Sequence, residues 1–157
     1  MEPAREIDTE TAQVPGENEP VEAPRFILYL EGPAYVGALR LLTLWTHHVL
    51  LPVYGREATS AAPWCPTWWE HPEAVARLHA LWMAWGALTG PGSDMAGPAV
   101  WHRDHLSPVM EALRDPQGPF AGCKEGKHRP KSQPSVETLD PFAPDITIAA
   151  ETQTPEI

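Results

Sequence analysis

Six of the seven tryptophans lie between Trp64 and Trp101, and the seventh is Trp45. Three of them crowd one proline-rich run, Pro63-Trp64-Cys65-Pro66-Thr67-Trp68-Trp69-Glu70-His71-Pro72. Large aromatic side chains dominate both core and interface energetics, so such a window is either the keystone of a small core or a binding face. In both cases the folded unit has to be built around it.

Charge marks the limits of that unit. Of the net charge of −10, residues 1–25 carry −5 and residues 129–157 carry −3, leaving only −2 on residues 26–128. All seven tryptophans, both cysteines and all seven histidines also belong to the middle. The ends hold prolines and acids with few large apolar residues. They cannot bury enough surface to offset an ordering entropy of about 1–2 kcal/mol per residue. The expected organisation is an acidic disordered tail over 1–25, a helical domain over 26–128 and a disordered, Pro-rich acidic tail over 129–157.

The start of the chain is acidic and shows no signal-peptide pattern. The longest apolar stretch, Ala34 to Val53, contains Arg40, His47 and His48 and reads as a buried helix rather than a membrane span. Two cysteines without an export signal point to a reduced, cytoplasmic protein. The acidic balance disfavours nucleic acid, because phosphate binding draws on clustered Lys and Arg. The only local basic concentration is Lys124, Lys127, Arg129 and Lys131, and it is short.

Three helices follow from pattern. The first opens at Gly32-Pro33 and carries Tyr35, Leu39, Leu42, Trp45 and Val49 at helical spacing until Pro52 ends or bends it. The run Phe26–Leu30 before it reads equally as a strand or a helical turn. The second opens at Pro72, with Glu70 and Glu73 near the positive end of its dipole. Its stripe is Val75, Leu78, Leu81, Trp82, Trp85 and Leu88, and Gly90-Pro91-Gly92 stops it. The third runs from Gly97-Pro98 past Trp101 and His105 to Leu113, kinked or broken near Pro108, where a backbone donor is missing. The fold class is all-α: a small three-helix domain with Pro/Trp-rich loops between disordered tails. The long loop 54–71 needs an anchor, which its tryptophans can supply.

Four residues have the chemistry of a metal site. Cys65 and His71 are separated by five residues, Cys123 and His128 by four. Together they make a tetrahedral two-Cys, two-His set of the kind that holds zinc. The competing interpretation makes the cysteines small buried hydrophobes and leaves His128 in solvent. A Cys65–Cys123 disulfide is disfavoured in a reducing compartment. No catalytic motif survives inspection. His102-Arg103-Asp104 lacks the metal-binding Asn and the Gly-rich loop of a kinase, and Asp104 reads as an exposed charge beside Arg103. Cys65 or Cys123 with His105 and Asp104 satisfies only the inventory of a Cys/His hydrolase. Adjacent His47 and His48 point about 100° apart on a helix and cannot chelate as a pair. His79, beside Arg77, reads as solvent-facing. Of the tryptophans, Trp45, Trp82, Trp85 and Trp101 read as core; Trp64, Trp68 and Trp69 either cap the end of the bundle or meet a partner.

Several rare residues recur in the order of a known family. Leu51-Pro52-Val53-Tyr54, then Trp64-Cys65-Pro66 with Trp68-Trp69-Glu70-His71-Pro72, Leu81-Trp82 with Trp85, Trp101 with Asp104-His105, and Asp115-Pro116 with Gly118-Pro119-Phe120 and Cys123 resemble the actinobacterial domain-of-unknown-function family numbered 4913. The resemblance implies an actinomycete protein of a type common in chromosomal and mobile genetic elements. It also implies an ending that pairs the late cysteine with a nearby histidine, as Cys123 and His128 do. It implies no activity, cofactor or partner, and this chain differs in its apolar first helix. The reading reached is a small cytoplasmic, non-catalytic interaction module whose partner is another protein. Its alternatives are a zinc-stabilised accessory module contacting DNA and a small Cys/His hydrolase.

Overall fold

The computed structural model describes residues 25–147, apart from 125, 137–138 and 141–142. The expected acidic tail 1–25 therefore lies, but for Arg25, outside the described residues. Among the described residues three helices carry the fold: α1, Gly32–Tyr54; α2, Pro72–Thr89; and α3, residues 97–113. A 3-10 turn, Ile27–Tyr29, precedes α1 and places Ile27 in the core, resolving the ambiguity of that run in favour of a helical turn. Gly32 enters α1 with φ +52, a conformation open to glycine, and Pro33 follows in the first turn.

Helices α1 and α3 meet their internal prolines in the same way. Each contains one widened π turn, Thr46–Leu50 ahead of Pro52 and Trp101–Leu106 ahead of Pro108. A proline offers no N–H and its ring crowds the carbonyl one turn back. Here the residue just before each proline reaches five positions back, Leu51 N–H to Thr46 O and Ser107 N–H to His102 O. The extra residue in the turn makes room for the ring and keeps the helix continuous. The kink or break expected near Pro108 thus takes the form of a π turn, through which Ser107 stays helical (φ −60, ψ −52).

The core fills the space between the three helices with Leu42, Trp45, Leu50, Leu78, Leu81, Trp101, Leu106 and Leu113. Trp101 is fully buried, donates Nε1–H to Leu81 O at 3.2 Å, and stacks edge-on against Trp85 with ring centroids 4.7 Å apart. Trp45 leans on both Trp82 and Trp85. Such aromatic pairs add about 0.5–1.5 kcal/mol each beyond the area they bury. Tyr54 O–H donates to His102 Nε2 at 2.7 Å and ties the end of α1 to α3. The assignment of four tryptophans to the helical core stands, with Trp82 and Trp85 only half-buried at its margin.

Two expectations need correction. His79 is only 4% exposed, because the turn at Phe26–Tyr29 folds over that flank of α2 and sets Phe26 against its ring, which also meets Trp82 of α2 itself. The apolar stretch of α1 is buried on one side only: Leu42, Trp45, Thr46 and Leu50 face inward, while Val36, Leu41, Leu44 and Val53 stand exposed. By length and composition α1 would suffice to cross a membrane, yet it forms one wall of this core.

Beyond α3 the chain turns tightly through 114–128. In the segment expected to be a disordered tail, a short antiparallel ribbon pairs Leu139–Asp140 (β1) with Ala143–Thr147 (β2). The remainder of that segment past Val136 lies outside the described residues.

Candidate metal centre

Three separate segments bring Cys65, His71, Cys123 and His128 to one point at the start of α2. Cys65 comes from the loop after α1. That loop is anchored partly by Arg114, whose Nη2 donates to Glu57 O at 2.6 Å and to Ala62 O at 2.9 Å. His71 is the residue just before α2, extended at φ −106 and ψ 105; its side chain makes no cap hydrogen bond and is free to turn toward the site. Cys123 and His128 flank a tight reversal in which Lys124 and Lys127 exchange backbone hydrogen bonds of 3.0 and 2.9 Å. Gly126 holds φ +70 in that reversal, where a side chain would be strained.

One donor atom from each of the four residues lies within 4.8 Å of the other three. Two approaches cross between the two sequence pairs: Cys123 Sγ to His71 Nε2 at 3.4 Å and Cys65 Sγ to His128 Nδ1 at 3.6 Å. Metal–ligand bonds of about 2.0–2.3 Å in tetrahedral geometry set neighbouring donors about 3.3–3.8 Å apart. Both measured S···N distances fall in that window. Two thiolates and two neutral imidazoles around a divalent cation also sum to zero charge, which suits a site where Cys65, His71 and Cys123 are buried and His128 half-buried.

The surroundings support the donors. Arg129 N–H donates to Cys123 Sγ at 3.4 Å, and Thr67 Oγ1 stands 3.4 Å from Cys65 Sγ. Glu70 Oε2 is 3.7 Å from His128 Nδ1, too far for a hydrogen bond but near enough to favour positive charge at the site. Phe120, fully buried, meets the edge of the His71 ring at 5.2 Å and carries Trp64 at 4.9 Å. A groove of about 560 Å³, lined by Pro63, Trp64, Pro66 and Lys124, reaches Cys123 and gives an ion a way in.

Electrostatics without a cation run against ionised donors. Burial, with His128 nearby, holds His71 below its ordinary value, opposed in part by Glu70. Burial also pushes the Cys123 thiol up, helped by Cys65 and countered by the Arg129 backbone. A divalent ion reverses this balance, because coordination deprotonates thiols outright.

All four proposed ligands therefore meet, whereas the three loop tryptophans part company. Trp68, read either as a cap of the bundle or as a partner contact, is fully buried and so takes the first role, its Nε1–H donating to His47 Nε2 at 3.0 Å on α1. Trp64 is half-buried as a wall of the metal corner, and Trp69 is 39% exposed. Asp104 is paired with Arg103 through two hydrogen bonds of 2.7 and 2.9 Å, and the histidine beside Cys123 is His71. Sequence reasoning missed Arg114, whose guanidinium holds two loop carbonyls, and Arg129, whose backbone N–H meets Cys123 Sγ; neither carries a spacing signal.

Fold and cluster together define a class: a small all-α domain whose loop corner gathers a closed two-Cys, two-His donor set. More particularly, the chain belongs to the family described as "Domain of unknown function (DUF4913)", which matches residues 40–143. The match contains all four donors, α2 and α3. No curated protein and no solved structure matches the chain.

Proposed function

We propose that this protein is a non-catalytic interaction module, cytoplasmic and protein-binding, whose loop corner is held by a structural zinc ion on Cys65, His71, Cys123 and His128. The observation that carries this is the mutual approach of four buried or half-buried donors to within 4.8 Å. Four protein ligands fill a tetrahedral zinc and leave no position for a reacting water, which is the pattern of structural and not catalytic sites. A hydrolase is disfavoured by the same corner. A nucleophilic cysteine needs a lowered pKa, and burial moves Cys123 the other way. The actinobacterial and mobile-element setting rests on the sequence resemblance alone.

A second reading, an accessory contact to DNA, draws on Lys124, Lys127 and Arg129, all exposed around the metal reversal. It would show as a salt-dependent affinity for duplex DNA that falls when these three are replaced by Gln. Metal analysis of tag-free protein tests the main reading. We expect about one equivalent of zinc per chain. Less than about a tenth of an equivalent, with no uptake on adding zinc, would remove it.

A further inference from the structure

The outward side of α1 carries a seam that nothing among the described residues covers. Ala34, Gly37, Leu41, Leu44 and His48 follow one another in alternating steps of three and four, and all are exposed. That is the repeat by which one helix lays a continuous stripe against another. Leu41 and Leu44 are 55% and 50% exposed, with Val36 beside them at 58%. Trp69, Val36, Leu39, Arg40, Leu44 and His47 line a shallow apolar groove along the same flank.

Gly37 is the most telling member. A glycine inside a helix lowers helix stability relative to alanine, so its presence calls for a reason. None is found among the described residues: φ is not positive there, and a Cβ added at Gly37 would meet nothing within 4 Å. Close approach of a second backbone is the remaining use for a residue without a side chain.

We infer that two copies of this chain pair through antiparallel α1 helices, Gly37 and Ala34 of each receiving Leu41 and Leu44 of the other. The seam is self-complementary in this sense. Its small residues occupy one end and its large ones the other, so reversing a second copy sets large against small along the contact. Charge agrees. The chain carries −10 overall, whereas Arg40 is the single charged side chain on α1, so the seam itself sets no row of like charges against another. The same scarcity of cations gives an anionic lipid surface little to attract. Size sets the strength. A helix of 23 residues is about 35 Å long. A strip of that length and about 10 Å wide falls below the roughly 800 Å² per partner of a standard interface. The dimer is therefore weak, with a dissociation constant on the order of 10–100 µM.

Sedimentation equilibrium of the full chain over a concentration series tests this, and it does not depend on the metal reading. A monomer–dimer equilibrium is expected. Gly37→Glu should weaken it by about tenfold or more while leaving the melting temperature of dilute protein no lower, because the added side chain enters open space and glutamate is the better helix former. Leu41→Glu should act likewise. A monomer at every concentration up to about 0.5 mM overturns the proposal. So does a dimer indifferent to both substitutions, and so does a monomer that binds neutral phosphatidylcholine vesicles through α1.

Discussion

The two ends of α2 are secured by different physics. Its C-terminal half sets its own Trp85 between Trp45 and Trp101, with rings 4.7 to 6.3 Å apart filling the space between helices. Its N-terminal end is pinned at His71 by Cys123 and His128, polar groups delivered from 52 and 57 positions away. The aromatic half gains stability by removing apolar surface from water and needs nothing from solution. The polar end gathers His71 and Cys123, whose charged forms burial disfavours, so under the proposed zinc site its stability would come from the ion. On that proposal one helix has an end indifferent to metal and an end that depends on it.

Three perturbations separate these ends, in order of size. Stripping the metal with a chelator, or removing a donor by Cys123→Ser, should lower unfolding free energy by more than about 5 kcal/mol, read by denaturant titration with and without zinc. An unchanged midpoint would mean that the corner stands without an ion. Trp101→Ala should cost about 3–5 kcal/mol through the cavity left in the core. Its zinc content should stay that of the parent protein, and loss of zinc there would show the two ends to be coupled. The smallest effect is protonic. His79 is buried neutral, and burial holds its pKa below the ordinary 6.5. The unfolded chain then binds the proton first. Stability is full above about pH 6.5 and falls as pH drops from there through the lowered folded-state value. In zinc-loaded protein, His79→Gln should flatten that slope of melting temperature against pH; an unaltered slope would place the titrating group elsewhere.

The comparison also shows what a sequence can disclose. Periodic apolar residues such as Val75, Leu78 and Leu81 define α2 because a helix repeats locally, and the three-helix class follows from them. The donors are legible as residue types with suitable spacing. That Cys65 faces His128 while Cys123 faces His71 is not, because the crossing depends on how two distant loops fold together. Trp68 shows the same limit. Its ring sits in a loop whose residues follow no helical or strand period, and its burial rests on contacts across the fold such as that with His47 on α1. Prolines 52 and 108 announce an irregularity, but both a break and a widened turn satisfy the missing donor. The exposed side of α1 was hidden for a simpler reason. Apolar residues all round a helix look the same in sequence whether or not both faces are covered.

The central claim is that four residues close around one metal ion, and cobalt substitution tests it most directly. Chelated protein titrated with Co²⁺ should develop the intense visible bands of a tetrahedral ion together with thiolate-to-metal charge transfer, saturating at about one equivalent and displaced by zinc. Cys65→Ser and Cys123→Ser should each weaken the charge-transfer band. A weak, octahedral-type spectrum, or none, in protein that remains folded would contradict the account.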